Sequence, residues 1–139
     1  MAVSPAAAAS SSFGVTMVAP RTLLPVVPEV FDATASEDLD DVVSDLDVVY
    51  VLRVQAERGG ASVFPSLPEY TARYGITKER FARLKPEAIV LHPGPMNRGV
   101  EIEGTVADDP RALILDQVFN GVAVRMAVLF RLLGGEHAE

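Results

Sequence analysis

Two polar side chains that suit a carboxylate ligand follow one of the most apolar short stretches of the chain. Residues 48–52 contain only valine, tyrosine and leucine, which predicts a β-strand buried on both faces. Arg53 and Gln55 come directly after it and point to the same side if the backbone stays extended. An arginine fork grips a carboxylate through two charge-assisted hydrogen bonds, and a neighbouring glutamine donates or accepts another. The pattern predicts a site for a small carboxylate-bearing molecule at the carboxyl end of this strand.

The same polar stretch also fits a solvated loop. Polar residues after a buried strand are commonly loop, and Glu57 with Arg58 fits an exposed ion pair worth about 0–1 kcal/mol. In the functional interpretation, the Glu57 carboxylate braces Arg53 instead. Gly59-Gly60 favours either a loop that closes over a ligand or a plain surface loop, and residues 55–66 are expected to be mobile.

The second candidate element is His92-Pro93-Gly94-Pro95, which follows the short apolar strand predicted at residues 88–91. Its prolines lack N–H donors and fix the backbone angles, so carbonyl groups are left without partners at the strand end. The interpretation is either a rigid structural turn, the more common case, or a cradle of carbonyls beside Arg53. His92 taken alone favours a hydrogen-bonded structural residue over a catalyst.

Composition excludes several classes of function. A chain of 139 residues with a formal net charge of -7 fits one domain and disfavours nucleic acid as a partner. The absence of cysteine excludes disulfides and thiolate chemistry, and His92 and His137 form no zinc motif. No run reaches the roughly 18 apolar residues of a membrane span. The hydrophobic fraction of 49% indicates that some apolar surface serves another domain or subunit.

The rest of the pattern predicts an α/β fold, with a parallel sheet and helices on both of its faces. Further strands are expected at residues 13–18 and, more weakly, 30–33, and helices at residues 37–44, 66–74, 78–84, 109–119 and 122–133. Asn120-Gly121 allows a kink or restart between the last two helices. Helix 122–133 is apolar on nearly every side, so part of it is expected to face a missing partner. Residues 1–12, rich in alanine and serine, are expected to be a disordered lead or a poorly formed helix.

Three motifs, in this order, resemble aspartate carbamoyltransferase. They are Leu52-Arg53-Val54-Gln55-Ala56-Glu57-Arg58, His92-Pro93-Gly94-Pro95-Met96-Asn97-Arg98 with Glu101-Ile102, and Gln117-Val118-Phe119-Asn120-Gly121-Val122-Ala123-Val124-Arg125-Met126. The resemblance covers residues 13–134, most of that family's second, aspartate-binding domain. Together with the disordered lead expected at 1–12 from its composition, it implies a partial aspartate-binding domain at 13–139. The Rossmann-like sheet is expected to lack its first strand, and the chain to be truncated at its amino-terminal side.

The resemblance implies a transferase of pyrimidine biosynthesis. In that reaction the amino group of L-aspartate attacks carbamoyl phosphate, and phosphate leaves to give N-carbamoyl-L-aspartate. By motif match, Arg53 binds an aspartate carboxylate and Gln55 assists. Glu57 orients Arg53, and Arg58 ties the closing loop to the family's first domain.

The resemblance also assigns the Pro-Gly-Pro turn to the other substrate. Pro93, Gly94 and Pro95 would contact carbamoyl phosphate, with His92 in support and the Gly94–Pro95 peptide bond cis. The family uses no metal or organic cofactor, is cytoplasmic and forms homotrimers. Because the family's first domain supplies most groups that act on carbamoyl phosphate, this chain is expected to be inactive alone.

Two alternatives stay open. One is a non-catalytic binding or assembly module derived from the same domain, which the apolar helix at residues 122–133 favours. The other is a fragment of ornithine carbamoyltransferase. It fits less well, because this chain has no cysteine and Arg53 suits a carboxylate rather than an ammonium group.

Overall fold

The structure is a computed structural model that describes residues 2–5, 13–54 and 66–134. In these ranges the strands are β1 Ala2–Pro5, β2 Phe13–Val18, β3 Ala33–Ser36, β4 Val48–Tyr50 and β5 Ile89–Leu91. The α-helices are α1 Leu67–Tyr74, α2 Lys78–Arg83, α3 Gly104–Ala107 and α4 Ile114–Leu133, and 3-10 helices occur at Arg21–Leu23, Pro28–Phe31 and Val43–Asp45. None of these helices combines the length and apolarity that crossing a membrane requires.

The strands form one sheet in the order β3-β2-β1-β4-β5. β2 pairs with β3 and β4 pairs with β5 in parallel, whereas β1 runs antiparallel to both of its neighbours. The four later strands therefore share one direction, and their carboxyl ends lie at one edge. The predicted α/β class is confirmed, but the sheet is mixed rather than wholly parallel.

The central strand β1 comes from the segment for which the sequence predicts disorder. It pairs along its whole length with β2, and Ala2 and Val3 also pair with Val49 and Val48 of β4. The prediction is therefore wrong for residues 2–5, which occupy the central position that the resemblance leaves empty. The facing edges of β2 and β4 carry backbone groups that need partners, so an extended segment gains hydrogen bonds there. Residue 1 and residues 6–12 lie outside the described residues.

The strand predicted at residues 30–33 is wrong. The 3-10 helix Pro28–Phe31 takes up most of that range, and β3 begins only at Ala33. A proline at the first position suits a helical turn. Asp32 ends the turn in the left-handed region, with φ of 50°, which a short polar side chain tolerates.

The helix predicted at residues 37–44 is also wrong, although its apolar side chains do enter the core. Turns and the 3-10 helix Val43–Asp45 take its place. The Ser36 hydroxyl accepts the Asp38 N–H, and the Asp38 carboxylate accepts the Asp40 N–H. These local bonds compete with helix formation, whereas Leu39 is buried in either case.

The carboxyl-terminal helix starts later than predicted. Residues 111–113 lie beside β5, where the Val90 N–H and carbonyl each form a 2.9 Å bond to this segment. Pairing with the sheet therefore delays α4, which begins at Ile114 rather than after Asp109. The helix then runs without interruption through Asn120-Gly121. By contrast, α1 and α2 agree with their predicted bounds to within one residue, because Ser66 and Thr77 cap them through their side chains.

The core collects apolar side chains from the loop before β4, from β4 and β5, and from the helices. It comprises Leu39, Val43, Leu46, Val49, Val51, Ile76, Phe81, Leu84, Ala88, Val90, Ile102, Val106 and Ile114. Beyond Ile114, the large apolar side chains of α4 are 41–82% exposed. The prediction that a domain of this size leaves part of the helix uncovered is therefore confirmed.

Candidate functional site

The strand that leads to the predicted carboxylate site is shorter than the sequence indicates. β4 ends at Tyr50, and one further bond from the Val51 N–H to the Leu91 carbonyl, at 2.8 Å, continues its pairing with β5. Leu52 is 54% exposed, so burial on both faces does not extend to the end of the predicted strand. The two parallel strands nevertheless end side by side, which brings the segments that follow them to one edge of the sheet.

Arg53 lies at this edge. Its side chain is half-buried with Nε enclosed, and the next residue, Val54, is 6% exposed. Gln55, Glu57 and Arg58 lie outside the described residues, as does the rest of the loop predicted to be mobile, 55–65. Their assigned roles stay predictions.

The turn that follows β5 is held from inside by a histidine. His92 is fully buried, and its Nδ1 accepts the Gly94 N–H at 2.9 Å. Gly94 has a left-handed φ of 63°, and its bond to Pro95 is cis, as the resemblance implies. Because Nδ1 accepts, the hydrogen bonds assign the ring proton of a neutral imidazole to Nε2. His92 thus matches the simpler interpretation, that of a hydrogen-bonded structural residue.

A buried carboxylate lies beside that histidine. Glu101 is fully buried, and its Oε1 lies 3.3 Å from His92 Nε2 and accepts the backbone N–H of Asn97. The Ile76 N–H donates to the Glu101 carbonyl at 3.0 Å, which anchors the backbone at this point. Sequence reasoning assigned no role to Glu101 or Asn97. The available signal was an acidic residue between two apolar ones, Val100 and Ile102.

Asn97 connects the two strand ends. Its side-chain amide donates to the Val54 carbonyl at 2.9 Å, while its backbone N–H bonds to Glu101. A continuous polar path therefore runs from the residue after Arg53 to the turn that carries Gly94. The structure thus brings the arginine segment and the Pro-Gly-Pro turn together at one edge of the sheet.

The third motif approaches the same edge from α4. Gln117 Nε2 donates to the Tyr50 hydroxyl at 3.0 Å, next to the end of β4. A Cβ placed on Gly94 would lie 3.6 Å from Val118 Cγ2, so the first turns of α4 also lie against the turn. The left-handed φ at Gly94, rather than this ordinary contact, is what favours glycine there.

The chemistry offered by the described part of the site is binding and positioning. It contains a guanidinium, exposed turn backbone and neutral polar groups, with the Glu101 carboxylate buried behind the turn. Burial, with the nearby charge of Glu101, raises the pKa of Tyr70 to about 12. The described residues hold no group of three His, Cys, Asp or Glu placed to bind a metal ion.

A family model described as "Aspartate/ornithine carbamoyltransferase, Asp/Orn binding domain" matches residues 6–132. The chain belongs to this family. The aspartate carbamoyltransferase catalytic subunit of Thermobifida fusca is 56% identical to this carbamoyltransferase domain over 121 residues, and that of Acidothermus cellulolyticus is 57% identical. Each alignment covers 87% of the chain but only 39% and 38% of the respective relative. The carbamoyltransferase domain therefore spans about two fifths of the length of these relatives.

Solved structures show the same relation. Aspartate transcarbamoylase from Trypanosoma cruzi in complex with carbamoyl phosphate aligns with a TM-score of 0.70 and 31% identity, over 84% of this chain and 39% of that one. The same enzyme in complex with N-(phosphonacetyl)-L-aspartic acid aligns with a TM-score of 0.69 and 32% identity, over the same shares. The carbamoyltransferase domain thus has the fold of the matching part of these enzymes.

Proposed function

We propose that this carbamoyltransferase domain supplies the aspartate-binding half of an aspartate carbamoyltransferase. The observation that carries the proposal is the bond from Asn97 to the Val54 carbonyl, which sets the Arg53 segment beside the turn at residues 92–95. The ligands follow from the T. cruzi structures, which contain carbamoyl phosphate, or both carbamoyl phosphate and aspartate. The proposed reaction belongs to pyrimidine biosynthesis in the cytoplasm.

In the proposed reaction, the amino nitrogen of L-aspartate forms a bond to the carbonyl carbon of carbamoyl phosphate. The carbon–oxygen bond to phosphate breaks, the nitrogen loses a proton, and N-carbamoyl-L-aspartate and phosphate are released. Arg53 and Gln55 would hold the aspartate, with Glu57 and Arg58 placing the loop. Such a site accelerates the reaction by orientation and charge stabilisation.

The turn would hold carbamoyl phosphate through Pro93, Gly94 and Pro95. A second, carbamoyl-phosphate-binding domain would complete the site, and α4 offers that domain an exposed apolar surface. In a full-length enzyme the assembly would be a homotrimer. The chain alone is expected to produce no carbamoyl aspartate in a colorimetric assay, and clear turnover would refute that part of the proposal.

Ligand binding to the chain tests the aspartate site directly. We expect L-aspartate and N-(phosphonacetyl)-L-aspartic acid to shift the amide resonances of Val54 and Gly94 in ¹H–¹⁵N spectra, and L-ornithine to leave them unchanged. Arg53→Gln should weaken aspartate binding roughly 10-fold or more, because a charge-assisted bond contributes about 1.5–3 kcal/mol. Arg73→Gln is the matched control, since Arg73 is exposed on α1.

Two results would contradict the aspartate assignment. One is an equal response to ornithine, which would favour the ornithine branch of the family. The other is an Arg53→Gln variant that binds aspartate as tightly as the wild type and the Arg73→Gln control. Either result would remove the reason for placing the substrate carboxylate at Arg53.

A non-catalytic assembly module is the second candidate, favoured by the exposed apolar side chains of α4. Such a module would bind a full-length homologue, for example the T. fusca catalytic subunit, without changing the turnover of that homologue. Sedimentation of the chain with and without that subunit tests this alternative. A folded monomer that does not co-sediment with the homologue would contradict it.

A further inference from the structure

We propose that Glu101 is a positioning residue that acts through His92 to direct the Pro93 carbonyl outward, where carbamoyl phosphate would bind. The inference rests on the proposed function and deepens it, because that function assigns no part to Glu101 or Asn97. Asn97, Glu101 and His92 form a polar relay. None of them needs to touch the substrate.

The first step is the tautomer of His92. The Gly94 N–H is a donor, and the Nδ1 that lies 2.9 Å from it in this ring orientation accepts from it. Nε2 then carries the proton and faces Glu101 Oε1 at 3.3 Å. The opposite tautomer would set two N–H groups against each other and a ring lone pair against the carboxylate. Glu101 and the Gly94 N–H therefore stabilise the same tautomer from opposite sides of the ring. Without Glu101, the buried Nε2–H would have no acceptor among the described residues.

The second step is the direction of a peptide plane. The Pro93–Gly94 peptide is not among the cis bonds of the described chain, so its C=O and N–H point in opposite directions. The N–H points at the fully buried His92 ring. The Pro93 carbonyl therefore points away from the core. Pro93 itself is exposed, so this carbonyl is on the outside of the domain. Holding the N–H inside fixes an acceptor on the outside.

Burying the Glu101 carboxylate costs free energy. The residue is fully buried, and its Oε2 has no hydrogen-bond partner among the described residues. A buried polar oxygen without a partner is unfavourable, and an apolar side chain of similar volume often gives equal or greater stability. Stability alone does not account for a carboxylate here, whereas control of the His92 tautomer does.

The last step connects the relay to the other substrate. Asn97 gives its backbone N–H to Glu101 and its side-chain amide to the Val54 carbonyl, next to Arg53. The Glu101 carboxylate thus contacts both Asn97, which holds the Arg53 segment, and His92, which holds the turn. The relay sets the separation of the two proposed substrate contacts.

The test compares Glu101→Gln with Glu101→Leu in the full chain. Glutamine keeps an oxygen that accepts from both His92 and Asn97, whereas leucine fills the space without an acceptor. In the ligand-free chain, ¹⁵N ring resonances should report the Nε2–H tautomer for the wild type and Glu101→Gln. Glu101→Leu should show mixed tautomers and a displaced Gly94 amide resonance. Affinity for N-(phosphonacetyl)-L-aspartic acid should fall about tenfold for leucine and stay within about threefold for glutamine.

The ligand-free spectra separate this inference from the proposed function. If the wild type binds no ligand, the proposed function fails, while the tautomer of Glu101→Leu still decides whether Glu101 controls His92. An unchanged tautomer and Gly94 resonance in Glu101→Leu would overturn the inference. So would a Glu101→Gln variant that behaves like Glu101→Leu.

A second pair of variants covers the case in which Glu101→Leu does not fold. His92→Phe removes the acceptor for the Gly94 N–H, and His92→Asn restores one, because an asparagine side chain accepts the N–H two residues on. We expect His92→Phe to lose ligand affinity about tenfold and His92→Asn to recover most of it. Equal affinities for these two variants would overturn the inference.

Discussion

Two parts of this domain that lie against each other are covered to opposite extents. Between Ile76 and Ile114, the chain buries apolar side chains and also charged ones, with Arg80 at 8% and Glu101 at 0% exposure. Along α4, Leu115 is 82% exposed and the other large apolar side chains follow the same pattern. Hydropathy alone does not decide burial here. Arg80 is buried where carboxylate and carbonyl groups of the described chain accept its N–H groups, and a leucine stays exposed where the described chain supplies no apolar surface.

The comparison also shows how the site is supported. The turn and the Arg53 segment are held by hydrogen bonds and core packing within the described chain, so this half of the site does not depend on α4 beyond its first turns. The exposed length of α4 contributes nothing to the core after Ile114. The surface that would cover it and the substrate contacts that would complete the site are both proposed to belong to another domain.

The largest expected effect comes from matched leucine truncations in the two parts. Leu46 is 1% exposed, and Leu46→Ala should lower the free energy of unfolding by about 3 kcal/mol, because the substitution removes buried hydrocarbon and leaves a cavity in the core. Leu132 is 76% exposed, and Leu132→Ala should change the free energy of unfolding by less than about 0.5 kcal/mol. Urea denaturation followed by circular dichroism measures both. Equal losses would show that α4 is packed in solution.

A smaller effect is expected from removing a buried charge's partner. Arg80 donates two bonds to the Asp40 carboxylate, at 3.1 and 2.7 Å, and others to the Gly75 and Ala72 carbonyls. Asp40→Asn should lower the free energy of unfolding by about 2 kcal/mol, because the amide is neutral and can accept from only one of the two guanidinium nitrogens that now bond to the carboxylate. The control is Asp108→Asn, which breaks an exposed pair with Arg98 and should cause no measurable loss. Equal stability of the two variants would contradict the prediction that the ion pair of the buried Arg80 stabilises the fold more than the exposed pair does.

The smallest effect concerns pH. Bonds from Arg80, and the charges of Arg80 and Arg83, hold the pKa of Asp40 below its usual range. A carboxylate whose folded pKa is depressed stabilises the fold above its unfolded pKa, near 3.9, and that contribution is lost as pH falls through the folded value. The stability difference between wild type and Asp40→Asn should therefore narrow below about pH 4 and stay constant above about pH 5. A constant difference down to pH 2.5 in acid titrations of unfolding would refute this assignment.

Those parts of the fold that depend on neighbours in sequence were predictable. Ser66 and Thr77 mark the starts of α1 and α2 because a cap needs only the next three residues. Residues 13–18 read as a strand by the same kind of local pattern. The start of α4 was missed because Val90, some twenty residues earlier, pairs with the segment before Ile114. The strand β1 was missed because its position depends on two edges formed elsewhere in the chain.

The residues of the candidate site were also predictable only in part. Arg53 and the turn at Gly94 were identifiable, since strand ends followed by charge or proline are visible in the sequence. Glu101 was not, because a carboxylate at 0% exposure is unusual and its meaning lies in partners that only coordinates show. Asn97 was quoted within a motif, yet its bond to the Val54 carbonyl spans 43 residues.

The direction of β1 has a practical consequence for experiments on this domain. Ala2 pairs with Thr16 and Val49, towards the carboxyl ends of β2 and β4, whereas Pro5 pairs with Phe13 at the start of β2. The strand therefore begins at the edge of the sheet where Arg53 and the proline turn lie. Any affinity tag or fusion protein attached ahead of it would emerge beside the proposed substrates. Recombinant versions intended for ligand measurements should carry their tags at the carboxyl terminus.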